Sequence, residues 1–193
     1  MNAATRFDAG DFATPANILT LSRILLAPPL FALILMADDT RGASWAAFAI
    51  GLFVAISDNL DGKLARRQGT TRSGAFLDPL ADKIVVLGVM VCLVRVDRYW
   101  WVPVALIAAR ELAVSVWRTY WARRGVSIPA RRSAKYKTLV QGVALLLAVM
   151  PPLEDADALH AVMLWIAVGF TLFTGAQYAL DGQKAMSRTG EIA

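Results

Sequence analysis

The sequence predicts an all-α, polytopic membrane protein with six transmembrane helices and a polar cavity open to the cytosol. Three observations predict it. Hydrophobic residues make up 57% of the 193 residues and charged residues only 18%, against about 45–50% and about 25% in soluble domains. The mean hydropathy of +0.50 implies more apolar surface than a water-soluble core of this size can hide. Six apolar stretches recur along the chain, and ~20 residues suffice for each crossing. The same composition excludes disorder and low-complexity scaffolds. The single cysteine, Cys92, lies in the apolar run VLGVMVCLV, which excludes a disulfide framework, a cysteine zinc site and a redox motif. A net charge of +5 would suggest nucleic acid as the partner of a soluble chain. In a membrane chain it reports orientation and anionic lipid, so no nucleic-acid partner is expected.

The elements follow in order within one domain, 1–193. Residues 1–14 hold one basic residue and no apolar core, so they do not form a secretory signal. Phe7 and Phe12 mark a short interfacial helix in this juxtamembrane segment. The spans are placed at 17–36, 44–60, 75–94, 100–121, 136–153 and 158–180, with a flexible tail over 183–193. The third is purely apolar only from Ile84 to Val94. Trp100 and Trp101 mark an outer interface. With the N-terminus in the cytosol, only Arg41, Arg95 and Arg98 of the 20 Lys and Arg fall on the outer side. Arg23 and Lys137 count among the inner charges. The positive-inside bias therefore places both termini in the cytosol, in a multi-pass protein of the cytoplasmic membrane.

Ionisable groups inside spans carry the functional information. A charge in hydrocarbon costs about 2.5–3.5 kcal/mol on insertion scales and usually faces a partner or a water-filled cavity. Asp58 and Asp61 end the second span, and Asp78 and Asp82 begin the third. Their spacings, i,i+3 and i,i+4, put each pair on one helix face. Two such helices side by side bring four carboxylates together, which cannot all stay ionised at close range without cations. All-oxygen donors of this kind suit Mg²⁺ or Mn²⁺ ahead of zinc. A set of unrelated loop-end aspartates paired with local arginines is the blander reading.

Neighbouring residues suit a phosphate-bearing ligand. Gly62 and Gly74 offer close backbone approach, or are ordinary helix-end glycines. Arg66 presents a planar donor fork matched to phosphate. Thr71 lies in a polar loop from which it can reach phosphate or ribose. Asn17 stands at the start of the first span, as an N-cap or as a ligand contact.

As one string the pattern is Asp58-x2-Asp61-Gly62-x2-Ala65-Arg66-x7-Gly74-x3-Asp78-x3-Asp82. It resembles the signature of the CDP-alcohol phosphotransferases, integral membrane enzymes of phospholipid synthesis. Eight fixed positions match a random window on the order of 10⁻¹⁰ of the time, so the resemblance is specific. The gap between Arg66 and Gly74 is seven residues where eight is commoner, and the difference falls in the polar loop. The resemblance implies that Asp58, Asp61 and Asp78 bind one metal ion and Asp61, Asp78 and Asp82 a second. Asp82 is the implied general base. Gly62, Arg66 and Thr71 are the implied contacts of the cytidine diphosphate, with Asn17, Asp58, Asp61 and Gly74 lining the same CDP-diacylglycerol site.

A second charged region would choose the acceptor. Arg110 and Glu111 lie mid-span, Arg118 two turns on, and Lys135 and Lys137 in the next cytosolic segment. Arg110 and Glu111 are either a buried ion pair fixing helix register or part of a substrate site. Arg118 and Lys135 are expected near the cytosolic level of the aspartates and suit an anionic acceptor, and with Arg110 and Lys137 they make up the expected acceptor-phosphate set. The stretch AARELAVSVWRTYWARRGVSIPARRSAKYKTLVQ and the opening TPANILTLSRI, with Asn17, Thr20 and Arg23 in matching places, resemble the bacterial branch of the family that uses glycerol 3-phosphate. The resemblance then implies phosphatidyl transfer from CDP-diacylglycerol to glycerol 3-phosphate, release of CMP, two Mg²⁺ or Mn²⁺ ions, surrounding membrane lipids and a homodimer. The same chemistry with phosphatidylglycerol or inositol phosphate as acceptor is one alternative. A cation-coupled transporter is another; it predicts broken helices at mid-bilayer.

Overall fold

The apolar stretches all become helices. The computed structural model describes residues 15–68, 72–123 and 133–190, and within them all side chains except those at 15–17, 59–68, 72–79, 122, 123, 134 and 183–190. The order is α1 (Pro15–Met36), α2 (Trp45–Gln68), α3 (Arg72–Arg95), α4 (Trp101–Arg123), α5 (Ser133–Ala148) and α6 (Asp157–Gly190). Single 3₁₀ turns occupy Asp38–Thr40 and Pro151–Leu153. Among the described residues there is no strand. The interfacial helix expected over residues 1–14 lies outside the described residues.

Three boundaries differ from the sequence reading, each for a local reason. Helix α2 continues eight residues beyond Leu60, to Gln68, because Lys63, Leu64, Ala65, Arg66, Arg67 and Gln68 are all strong helix formers. Helix α5 stops at Ala148 rather than at 153, since Pro151 and Pro152 lack the N–H groups a continuing helix needs. Helix α6 runs on to Gly190, so the expected C-terminal tail is helical through that residue. No proline interrupts that stretch, and Gln183, Lys184, Ala185 and Met186 favour helix.

The chain forms two compact units, 1–98 with 145–155, and 99–144 with 156–193. In the first, α1 packs against both α2 and α3. Ala27, Leu30 and Ile34 of α1 are buried, as are Ala81, Val85, Val89 and Leu93 of α3. Gly88 makes the closest approach: a Cβ there would fall against the Phe31 ring, 2.7 Å from Cε1 and 2.9 Å from Cε2.

One end of this unit is held by Arg98, only 7% exposed. Its Nε donates to the Arg41 carbonyl at 3.1 Å, its Nη2 to the Thr40 carbonyl at 2.6 Å and its Nη1 to the Glu154 carbonyl. Arg41 Nη2 donates to that same Glu154 carbonyl at 3.2 Å. Beside them Gly42 adopts φ +89°, and a Cβ there would lie 2.9 Å from Ile34 Cγ2. The turns that follow α1, α3 and α5 thus gather at one end. Arg98, read from sequence as an outer-side topology charge, is a buried clasp between these turns.

In the second unit α4 packs on α6 in parallel. Trp100 meets Trp165, Arg110 runs along Gly175 and Trp117 along Gly182, a constant offset of 65 residues. Helix α5 runs antiparallel to both. The Tyr99 hydroxyl donates to the Ala144 carbonyl at 2.8 Å, Gln141 Nε2 to Thr171 Oγ1 at 2.9 Å and the Ser133 hydroxyl to Gln177 Oε1 at 2.7 Å.

Among the described residues, two helical stretches are long and apolar enough to cross a membrane, Ile18–Met36 and Asp157–Gly182. At 1.5 Å per residue they measure about 28 Å and about 39 Å, against a hydrocarbon core of about 30 Å. Large apolar side chains point outward on other helices too, among them Phe53, Val91, Val116 and Leu139.

Candidate active site

Both aspartate pairs stand on helices. Asp58 and Asp61 belong to α2, Asp78 and Asp82 to α3, and all four fall within the first unit. Their spacings of three and four therefore act as helical spacings, placing each pair on one face. Helix α1 packs against both of the helices that carry them. The side chains of Asp61, Gly62, Arg66, Gly74 and Asp78 lie outside the described ones, as does that of Asn17 in the first turn of α1; Thr71 lies outside the described residues.

Asp58 shows how the site is built. Its carboxylate Oδ1 accepts a hydrogen bond from Arg23 Nη1 of α1. The two partners differ in exposure: the Arg23 side chain is 1% exposed and that of Asp58 is 40% exposed. The guanidinium stands behind the carboxylate on the protein side, while Asp58 presents the rest of its surface outward. Asp82, one helical turn beyond Asp78, is partly exposed and follows the fully buried Ala81. The carboxylates of Asp58 and Asp82 are hard oxygen donors, and that donor chemistry fits Mg²⁺ or Mn²⁺.

Arg23 is a site residue whose partnership sequence reasoning missed. Counted as a topology charge, it is in fact buried and ion-paired. The signal was present: an arginine within Leu19-Thr20-Leu21-Ser22-Arg23-Ile24-Leu25 breaks the same rule against intramembrane charge that singled out the aspartates.

The acceptor candidates separate into two kinds. Glu111 Oε1 accepts from Arg110 Nη1 at 3.0 Å and from Lys137 Nζ at 2.5 Å. All three are interior, with side-chain exposures between 8% and 11%. Arg110 Nη2 also donates to Thr174 Oγ1 at 3.0 Å. Gly175 makes room for this, since a Cβ there would stand 3.2 Å from Arg110 Cγ and Nε. Arg110 and Glu111 are thus a buried ion pair. Lys137 joins it from α5, a partnership across 26 residues that no local pattern announced. Two cations share one carboxylate, so the cluster holds an uncompensated positive charge. Arg118 and Lys135, by contrast, are exposed. His160 is buried at the start of α6, in keeping with a structural role.

These features define an all-helical architecture with paired aspartates on two helices that both pack against a third. The sequence match to the CDP-alcohol phosphatidyltransferase family covers residues 13–173, and the chain belongs to that family. Among its curated relatives is the probable phosphatidylglycerophosphate synthase of Mycobacterium tuberculosis, 41% identical over 169 residues, covering 86% of this chain and 80% of the relative. The CDP-diacylglycerol–glycerol-3-phosphate 3-phosphatidyltransferase of Shigella flexneri is 36% identical over 170 residues, 84% of this chain and 91% of that one. Its counterpart in Rickettsia typhi is 33% identical over 167 residues, 84% of this chain and 93% of the relative.

Proposed function

We propose that this protein transfers the phosphatidyl group of CDP-diacylglycerol to glycerol 3-phosphate, forming phosphatidylglycerophosphate and CMP. The observation that carries the reading is the placement of Asp58, Asp61, Asp78 and Asp82 on two helices packed against α1, in a chain whose relatives are named for this reaction. The family match spans both compact units, which supports reading them as one catalytic domain.

Each residue has a role in the reaction. The 1-hydroxyl oxygen of glycerol 3-phosphate forms a bond to the lipid-side phosphorus, and the bond from that phosphorus to the CMP oxygen breaks. Asp82 accepts the hydroxyl proton. Arg66 holds the diphosphate as a planar fork, with Gly62, Gly74, Thr71 and Asn17 completing the cytidine diphosphate site. Asp58, Asp61, Asp78 and Asp82 would hold two Mg²⁺ or Mn²⁺ ions, which when bound supply charge neutralisation at the attacking and leaving oxygens. Exposed Arg118 and Lys135 bind the acceptor phosphate. Arg110 and Lys137, clustered on Glu111, belong to the same acceptor-phosphate set.

We place the protein in the cytoplasmic membrane with six spans, both termini and the site in the cytosol, and as a homodimer. Two span-length apolar helices support the membrane assignment. The turns after α1, α3 and α5, gathered around Arg98, support the alternation of spans. Outward-facing Leu25, Val91 and Phe173 are suited to lipid tails. Intact helices through Asp58 and Asp82 disfavour the transporter alternative, which needs broken ones.

The acceptor is tested by offering glycerol 3-phosphate, phosphatidylglycerol and inositol phosphate side by side and weighing the lipid product by mass spectrometry. Phosphatidylglycerophosphate from the first alone is the expected result. Turnover with either of the others instead would remove the acceptor assignment and leave the family intact.

A further inference from the structure

Arg23 is the most completely buried cation among the described residues, at 1% exposure, yet the reaction described above gives it no task. Burying a guanidinium is costly unless it is paired and hydrogen-bonded, so the partner it meets carries information. It sits on α1, the helix packed against both aspartate-bearing helices, and its Nη1 donates to Asp58 Oδ1. The donor is sealed from solvent while the acceptor is 40% exposed. A surface ion pair is exposed on both sides, and a structural pair in a core is buried on both sides. This pair is buried only behind.

We infer that Arg23 is a positioning residue: it fixes the Asp58 carboxylate from behind, holding one oxygen so that the other is presented in a defined direction to a divalent cation. The inference rests on reading the aspartates as a metal site. An exposed aspartate otherwise rotates freely about its side-chain bonds, and ordering it on binding costs conformational entropy. Holding Oδ1 in advance removes part of that cost. Metal-ligating carboxylates generally depend on such hydrogen-bonded partners behind them. Thr20 and Ser57 are buried on the same two helices, which pack against each other.

Charge and orientation make opposite forecasts, which makes the inference testable. Arg23 is itself a cation beside a cation site. If charge alone mattered, removing it would tighten metal binding, because like charges repel. If orientation matters more, removing it weakens binding, and outer partners of this kind typically account for roughly 10–100-fold in metal affinity.

The experiment is Mn²⁺ binding by electron paramagnetic resonance on the full-length, metal-stripped protein in detergent, without substrate, comparing the parent with Arg23→Lys and Arg23→Met. The expected order of affinity is parent, then Lys, then Met, with the Met variant weaker by roughly 10–100-fold. Met binding Mn²⁺ as tightly as the parent or more tightly overturns the proposal. Should the Met variant fail to fold, the Lys variant decides: it keeps the charge but loses the planar fork, so weaker binding supports positioning and parent-like binding refutes it. Asp61→Ala separates the two layers of the argument. A parent that binds no Mn²⁺, or binds it unchanged after Asp61→Ala, removes the metal site itself and the proposal with it. Loss in Asp61→Ala beside parent-like binding in the Arg23 variants removes only the positioning role.

Discussion

Asp82→Asn is expected to lower the rate of CMP release by about 10²–10⁴-fold, the usual contribution of a general base. Asparagine keeps the size and one oxygen of the side chain but cannot take up the acceptor proton. Asp82 stands one turn beyond Asp78 on α3 and is partly exposed, so its replacement by a near-isostere leaves the packing of α3 against α1 unchanged. The loss should therefore appear in kcat, with thermal stability near that of the parent. Stopped-time assays of CMP at saturating substrates, with a melting curve alongside, check this. Parent-like turnover by Asp82→Asn removes the base assignment and returns the role to another carboxylate.

Glu111→Ala is expected to have the largest effect on stability. The substitution leaves Arg110 and Lys137 buried with no counter-charge, since both now share Glu111 Oε1. Breaking a buried pair by removing one partner typically costs about 3–5 kcal/mol, because an uncompensated charge stays inside. For a chain of this length that corresponds to a fall in melting temperature of roughly 6–20 °C. Replacing all three members by apolar residues of similar volume should be much milder, since no charge is stranded. Differential scanning fluorimetry in detergent distinguishes the cases. Equal stability of Glu111→Ala and the parent would show that water or lipid headgroups already solvate these cations.

What could be read in advance, and what could not, follows from the range of each interaction. The helices were legible because apolar runs are local, and both aspartate pairs were legible because their spacing of three or four residues is local too. The end of α2 was not. Lys63, Arg66 and Arg67 look like loop residues by polarity, yet they continue the helix by propensity. Long-range partnerships were invisible. Arg23 meets Asp58 across 35 residues, Lys137 meets Glu111 across 26 and Arg98 reaches Glu154 across 56. Arg23 and Arg98 enter the sequence reading only as sidedness charges and Lys137 as an acceptor candidate as well; sidedness is a rule about where charge lies and carries no knowledge of what charge touches. Taking all three out of the balance leaves the inner surplus in place, so the orientation argument survives their removal. Reading Arg110 and Glu111 as an ion pair was one of two open alternatives, and the structure shows that pair with Lys137 as a third member.

In the proposed reaction the four aspartates serve a metal-dependent phosphatidyl transfer to glycerol 3-phosphate. Its most direct test is CMP release from CDP-diacylglycerol by the purified full-length protein, stripped of metal and then supplied with acceptor and Mg²⁺ or Mn²⁺ singly and together. Release only when both are present, matched mole for mole by phosphatidylglycerophosphate, is the predicted result. Release at the same rate with the metal chelated, or in the absence of any acceptor, would contradict it.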